Sequence, residues 1–179
     1  MKRLARSQLI GFVCGAGVAG AFASMAWAGS CFLCRKPAVD MPVSLAVGSV
    51  RSPEFAVKNE HYLIYLQVER SQISSGELGC MIGIARWPNH CSNFGFETVL
   101  EANWKVVDGN RVVAQGSVQG RNEYDHAVSD KYLQKYLASF DGESGKKNYV
   151  LEVQFTKDGS ALNVTNPHLI VMMTKPTDI

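Results

Sequence analysis

Residues 100–118, LEANWKVVDGNRVVAQGSV, contain the clearest structural pattern of the chain. Apolar and polar side chains alternate before the turn, with Trp104 facing a predicted core and Lys105 facing solvent. A two-residue period is typical of a half-buried β-strand. Gly109 then lies in an Asp-Gly-Asn sequence that favours a tight reversal, because Gly and Asn tolerate a positive φ. The stretch therefore predicts a β-hairpin over residues 97–119.

The same period recurs in several other segments. Further strands are predicted at residues 43–50, 54–58, 62–68, 79–86, 149–156, 162–164 and 169–173. Turn signals at intervals of about 8–12 residues favour an all-β, antiparallel, immunoglobulin-like β-sandwich, with an eight-stranded barrel as the alternative. Tyr149 begins a late strand, a position similar to that of the corner tyrosine in such sandwiches, whose hydroxyl bonds back to the preceding loop.

One segment departs from the two-residue period. Ser129 can cap a helix. The apolar residues after it recur at helical spacing, namely Tyr132, Leu133, Tyr136, Leu137 and Phe140. The Asp-Gly-Glu-Ser-Gly sequence at 141–145 then ends the pattern. We therefore expect one short inserted helix over this segment, packed over an open end of the sheets or presented to a partner helix.

The amino terminus has the pattern of a bacterial export signal. Three basic residues precede an apolar run, and a small-residue Ala-Trp-Ala sequence ends at Ala28. The run is rich in Gly and Ala, so it is less hydrophobic than a typical membrane-spanning helix. These features predict a signal peptide at 1–28, a linker at 29–42 and a β-sandwich domain at 43–175.

The charge of the predicted mature domain is close to neutral. Of the 18 basic residues, three lie in residues 1–28, which contain no acidic residue, so 15 basic residues face 16 acidic ones in the remainder. The domain therefore lacks the excess of positive charge that phosphate binding requires. Nucleic acid is excluded as a partner on this ground.

A second route of maturation is open at Cys31. Ala28-Gly29-Ser30-Cys31 is similar to the box of bacterial lipoproteins, in which the cysteine is acylated, although Leu rather than Ala is usual at its first position. Acylation of Cys31 would attach the protein to a membrane, whereas cleavage after Ala28 would release it into the periplasm. Both routes predict an exported protein, either periplasmic or an outer-membrane lipoprotein.

The cysteines predict a disulfide, because export places the chain in an oxidising compartment. Cys80 and Cys91 enclose ten residues of a turn-rich segment, and closing such a loop stabilises the fold by about 2–3 kcal/mol. A zinc site combining Cys31 and Cys34 with His90 and Cys91 is the weaker alternative, since Cys31 lies beside the cleavage point. We expect no metal and no cofactor.

Sequence motifs of catalysis are missing from the chain. No Gly-x-Ser-x-Gly, His-Glu-x-x-His or phosphate-binding glycine motif occurs, so we expect a protein that is not an enzyme. Folding explains the segment 86–96 least well, because Arg86, Trp87, His90 and Phe94 combine residue types that dominate binding surfaces. We favour the interpretation that its aromatic residues fill the core. The alternative is that the segment is a binding loop, for which these four residues are the candidates.

Two stretches resemble a family of small exported proteobacterial proteins of unknown function, many of them lipoproteins. The matching residues are Trp104, Asp108-Gly109, Ala114-Gln115-Gly116, Gly145-Lys146, Tyr149, Asp158-Gly159-Ser160, Leu162-Asn163 and Asn166-Pro167-His168-Leu169. The resemblance covers roughly residues 43–173, and the carboxy-terminal Asn-Pro-x-Leu strand motif is its most specific part. The family usually has Arg where this chain has His168, which weakens any role based on charge there. It implies no catalytic residues.

Together these features predict an exported, non-enzymatic β-sandwich protein that binds a protein or envelope component. An alternative is a periplasmic immunity or inhibitor protein that neutralises a toxic enzyme. A third alternative is a hydrolase whose site assembles from scattered residues.

Overall fold

The structure, a computed structural model, describes residues 36–70, 73–84, 91, 98–119, 126–127, 131–143 and 147–174. The chain divides into two units, Met1–Cys34 and Arg35–Ile179, and the first lies outside the described residues. In chain order, the described elements are β1 (Val39–Pro42), β2 (Gly48–Arg51), β3 (Phe55–Val57), β4 (His61–Glu69), α1 (Ser75–Ile82), β5 (Ala102–Asp108), β6 (Arg111–Val118), β7 (His126–Ala127), β8 (Tyr132–Asp141), β9 (Lys147–Phe155), a 3-10 helix (Ser160–Thr165) and β10 (His168–Met173).

The strands form two antiparallel sheets. Sheet I has the order β1-β10-β4-β8-β7, and sheet II has the order β2-β9-β5-β6, with β3 also pairing with β9. Alternate residues of both sheets enter one shared apolar core, including Ile64 and Leu66 from sheet I and Leu151 and Val153 from sheet II. The predicted all-β antiparallel sandwich is therefore confirmed, and the described residues include one short α-helix.

Phe140 of β8 joins the two sheets. Its ring stacks on Tyr62 of the neighbouring strand, with the centroids 5.2 Å apart. Across the core, the same ring lies 6.1 Å from Tyr149 and 6.4 Å from Phe55, which both belong to the sheet II side. Such tilted and edge-on aromatic pairs add stabilisation beyond the area that they bury.

The predicted hairpin is present as β5 and β6. Asp108 pairs with Arg111, so Gly109 and Asn110 form a two-residue turn. Gly109 has a φ of 59° at the first of these positions, which is typical of a type II′ turn. Trp104 is partly buried and packs against the core.

The predicted corner tyrosine is also present. The Tyr149 side chain is fully buried, and its hydroxyl accepts a hydrogen bond from the backbone N–H of Glu143 at 3.3 Å. Tyr62 makes a similar contact, since its hydroxyl accepts from the N–H of Lys58 at 2.9 Å. Both bonds tie a loop to the strand that follows it.

The predicted helix near residues 129–140 is wrong, because Tyr132–Asp141 is the strand β8. A bulge explains the error. Ile64 pairs with Ala138, but the next residue of β4 pairs with Tyr136, so Leu137 is an extra residue in the ladder. The bulge shifts the phase of the alternation, and a buried lysine, Lys135, occupies an inward position opposite Leu66. The remaining apolar residues then recur at a spacing that imitates a helix.

The predicted strand at 79–86 is also wrong, because Ser75–Ile82 forms α1, the α-helix of the described residues. The side chain of Ser74 caps it by accepting from the N–H of Glu77 at 3.3 Å. Two glycines weaken the helical signal in this stretch. Burial of Leu78 and Ile82, four residues apart on one face, offsets that loss. None of the described helices is long and apolar enough to cross a membrane.

Two boundaries also differ from the prediction. Val39–Pro42 lies in the predicted linker at 29–42, yet it forms β1 and pairs with β10 at the edge of sheet I. The predicted return strand at 162–164 is part of a 3-10 helix, in which Leu162 is buried and Val164 is exposed. The local sequence pattern does not show the pairing of β1, because it depends on a strand far away in the chain.

Candidate functional site

The structure describes only part of the residues that the sequence singled out. Cys80 and Cys91 form a disulfide that joins α1 to the segment after it, and both residues are buried. The candidate binding-loop residues Arg86, Trp87, His90 and Phe94 lie outside the described residues, as does the candidate lipidation site Cys31. The predicted binding loop therefore stays a prediction.

A polar groove crosses the outer face of sheet II, and the sequence did not predict it. The groove has a volume of about 760 Å³ and is formed by all four strands β2, β9, β5 and β6. The strand register brings its outward residues into two parallel rows. Row A contains Ser49, Gln154, Asn103 and Ser117, and row B contains Arg51, Glu152, Lys105 and Gln115.

The floor of the groove lies between the two rows. It is lined by Val50, Val153, Trp104 and Gly116, which are paired with one another across the four strands. The side chains of Val50, Val153 and Trp104 point towards the core, because successive residues of a strand face opposite sides of a sheet. Backbone therefore forms the floor, and the polar side chains of rows A and B form the two walls.

Ion pairs fix the position of row B. Lys105 Nζ lies 2.8 Å from one carboxylate oxygen of Glu152, and Arg51 Nε lies 3.7 Å from the other. The hydrogen bond from Lys105 lowers the pKa of Glu152, partial desolvation raises it, and the charges of Lys105 and Arg51 lower it further. Glu152 is therefore ionised at neutral pH, and its single negative charge offsets half of the charge of the two cations.

Five groove side chains carry no charge and have free hydrogen-bonding groups. They are Ser49, Asn103, Gln115, Ser117 and Gln154. All five are exposed, and none makes a side-chain hydrogen bond to another of the residues that the structure describes. The amides and hydroxyls can each both donate and accept. The walls of the groove therefore offer a set of neutral polar groups to a ligand.

Two histidines of sheet I, His61 and His168, form separate pairs with aspartates. His61 Nδ1 lies 2.7 Å from Asp141, and His168 Nδ1 lies 2.6 Å from Asp40. His168 pairs with Gln67, six residues along β4 from His61, which places the two histidines about 20 Å apart. No group of three potential metal ligands occurs among the described residues.

The residues of the groove were visible in the sequence, but their assembly was not. Asn103 and Lys105 alternate with apolar residues on β5, as Glu152 and Gln154 do on β9. Taken one strand at a time, this pattern also describes an ordinary solvated face. Only the pairing of β5 with β9, and of β9 with β2, shows that the four strands align these residues into rows.

Comparison with known proteins supports the fold only. No protein-family model and no curated protein matches the sequence. Among solved structures, the crystal structure of a protein from Sulfurospirillum deleyianum is similar, with a TM-score of 0.51 and 13% sequence identity. The similarity covers 79% of this chain and 99% of that one. At this level of identity, the likeness shows a shared fold alone.

Proposed function

We propose that this chain is an exported, non-enzymatic β-sandwich protein that binds an envelope component in the groove of sheet II. The single observation that carries the proposal is the set of five unpartnered polar side chains on the groove walls. A paired four-stranded sheet holds the backbone of these residues at fixed spacing, so ligand binding has to order only the side chains. The sequence has no Gly-x-Ser-x-Gly, His-Glu-x-x-His or phosphate-binding glycine motif, which favours binding over catalysis.

The proposed location follows from the amino terminus and the disulfide. The Cys80–Cys91 disulfide is consistent with an oxidising, exported environment, because cytosolic thiols are kept reduced. We propose that the signal at 1–28 directs the chain to the periplasm, with acylation of Cys31 as the alternative that would attach it to the outer membrane. Membership of the family of small exported proteobacterial proteins is part of the same proposal.

Capture from cell envelopes tests the binding function. The full chain, with a carboxy-terminal tag, is expressed in its own host, crosslinked in intact cells and purified with its bound material. We expect an envelope component that is retained by the wild type and lost from the double variant Asn103→Ala/Gln154→Ala. Mass spectrometry of the retained material and of the intact protein identifies the component and decides between cleavage and acylation.

The control is Asn148→Ala, which removes an amide from the same outer face of β9, outside the groove. Asn148 is exposed, and its only described side-chain contact is a long one of 3.5 Å to Glu54. This variant is expected to retain the component. Retention by the groove variant at wild-type level would contradict the proposal.

A further inference from the structure

We infer that the ligand of the sheet II groove is a neutral oligosaccharide, an inference that rests on the proposed binding function and names its ligand class. The five unpartnered side chains are two serines, one asparagine and two glutamines. Hydroxyl and amide groups both donate and accept hydrogen bonds. Sugar hydroxyls have the same dual capacity, so each of these five side chains can bond to a sugar whichever way its hydroxyl points.

The spacing of the rows fits a chain of sugars. Each row has one side chain per strand, and neighbouring strands lie about 4.8 Å apart, so four strands span about 14 Å. This repeat is close to the length of one sugar unit in an extended oligosaccharide. Rows A and B are two residues apart along each strand, which separates the walls by about 7 Å. The groove therefore accepts one sugar chain, running across the strands, over three to four units.

The charge of the groove argues against an anionic polymer. Arg51 and Lys105 both contact Glu152, so the two cations of row B share one carboxylate and the row keeps a net charge of only +1. Row A has no charged residue. A polyanion would gain little here, since its affinity depends on cations that replace its counterions.

The groove also lacks the features that anchor a peptide. Every side chain on its walls is polar, and its one arginine, Arg51, is exposed and paired with Glu152, whereas protein interfaces obtain most of their binding energy from buried aromatic and Arg anchors. Trp104 and the two valines of the floor point towards the core and are not presented as anchors. A ligand with many hydroxyls loses less free energy to desolvation on binding to such walls, because each wall group that leaves water meets a hydrogen-bonding partner on the ligand.

Side-chain amide signals in the NMR spectrum test this inference directly. Asn103, Gln115 and Gln154 each carry an NH₂ group in the groove, and Asn148 carries one outside it. The mature, oxidised, ¹⁵N-labelled protein is titrated separately with cellotetraose, maltotetraose and chitotetraose. We expect at least one of them to cause saturable shifts of the three groove amides, while the NH₂ signals of Asn148 do not move.

Variants then assign the shifts to the groove. Asn103→Ala and Gln154→Ala are each expected to weaken binding of that oligosaccharide by about fivefold, because each removes hydrogen bonds to the ligand. Asn148→Ala is expected to bind like the wild type. Equal affinity of all three variants would overturn the inference, because the sugar would then be binding elsewhere.

Failure of the inference can be told apart from failure of the proposed function. If none of the three oligosaccharides moves the groove amides at about 10 mM, where a millimolar Kd would give near saturation, the glycan inference is overturned. If the groove variant still loses its envelope component in that case, the binding function stands with a ligand of another class. If the variant also retains the component, both proposals fall.

Discussion

Lys135 shows how one residue can obscure the pattern of a whole strand. Its side chain is fully buried on the inner side of β8, and Nζ donates to the backbone carbonyl of Gly83 at 2.8 Å. Gly83 has a φ of 77° at the end of α1, where a cation is favourable because the last carbonyl groups of a helix point outwards. The lysine therefore connects sheet I to the helix.

The variant Lys135→Met keeps the length of the side chain but removes its charge and donors. We expect the free energy of unfolding to fall by about 2 kcal/mol, because the buried carbonyl of Gly83 loses a charge-assisted hydrogen bond. Urea denaturation measures the change. The matched control Lys58→Met, at an exposed position, should lie within about 0.5 kcal/mol of the wild type. An unchanged midpoint for Lys135→Met would contradict this role.

Gly142 is required by a close approach of two backbone segments. Its N–H donates to the carbonyl of Glu60 at 2.9 Å, and a Cβ at this position would collide with the carbonyl oxygen of Lys58. The Tyr62 ring lies close on another side, 3.1 Å from the same Cβ position. From the sequence, this glycine was expected only to end a helix.

We expect Gly142→Ala to lower the free energy of unfolding by about 2–3 kcal/mol, since backbone must move to make room for the new methyl group. Chemical denaturation measures the loss. The neighbouring variant Asp141→Ala serves as the control, because the Asp141 side chain is exposed and its contact with His61 should contribute at most about 1 kcal/mol. A Gly142→Ala protein as stable as Asp141→Ala would show that the backbone approach is less tight than described.

Helix α1 illustrates an element whose formation depends on its surroundings. Eight residues that include two glycines make a marginal helix in isolation. The Ser74 cap, the burial of its apolar face and the contact of Gly83 with Lys135 stabilise it in the folded protein. The disulfide to Cys91 adds a covalent link to the chain that follows.

We expect the double variant Cys80→Ala/Cys91→Ala to lose about 2–3 kcal/mol of stability, because its unfolded chain regains the entropy of the open loop. Guanidinium denaturation of the oxidised wild type and of the variant measures the difference. Adding a reductant should bring the wild type close to the variant and leave the variant unchanged. A wild-type midpoint that does not respond to reduction would contradict a stabilising role for the disulfide.

At the scale of the whole molecule, residues from β1 to β10 supply the shared core. The buried cluster extends from Val39 in β1 to Val171 in β10 and draws on both sheets. The strands nearest the two ends of this range are paired with each other at the edge of sheet I. The described strands from β1 to β10 therefore belong to one sandwich with a shared core.

We therefore expect a fragment of residues 35–179 to unfold in one cooperative transition, with a free energy within about 0.5 kcal/mol of that of residues 29–179. Matched urea denaturation curves of the two oxidised proteins measure this. A fragment that begins at residue 43 is the informative control, because it lacks β1 and should be less stable. Failure of the 35–179 fragment to fold cooperatively would contradict the expected boundary.

The sequence by itself determined the fold class, the hairpin of β5 and β6, the corner tyrosine and the Cys80–Cys91 pair. Each depends on neighbours in the chain: the alternation around Trp104, the turn at Gly109, the loop before Tyr149 and the short spacing of the cysteines. A local sequence pattern predicts the secondary structure correctly when the burial of the side chains follows the period of the backbone.

Only the tertiary structure decided the identity of β8, the position of the helix and the existence of the groove. The bulge at Leu137 and the inward Lys135 are tolerated because β4 and α1 supply their partners from distant parts of the chain. Rows A and B exist because β2, β9, β5 and β6 pair in an order that differs from their order in the sequence. The physical reason is the same in both cases: hydrogen bonds between distant strands, rather than local preferences, set the register of a sheet.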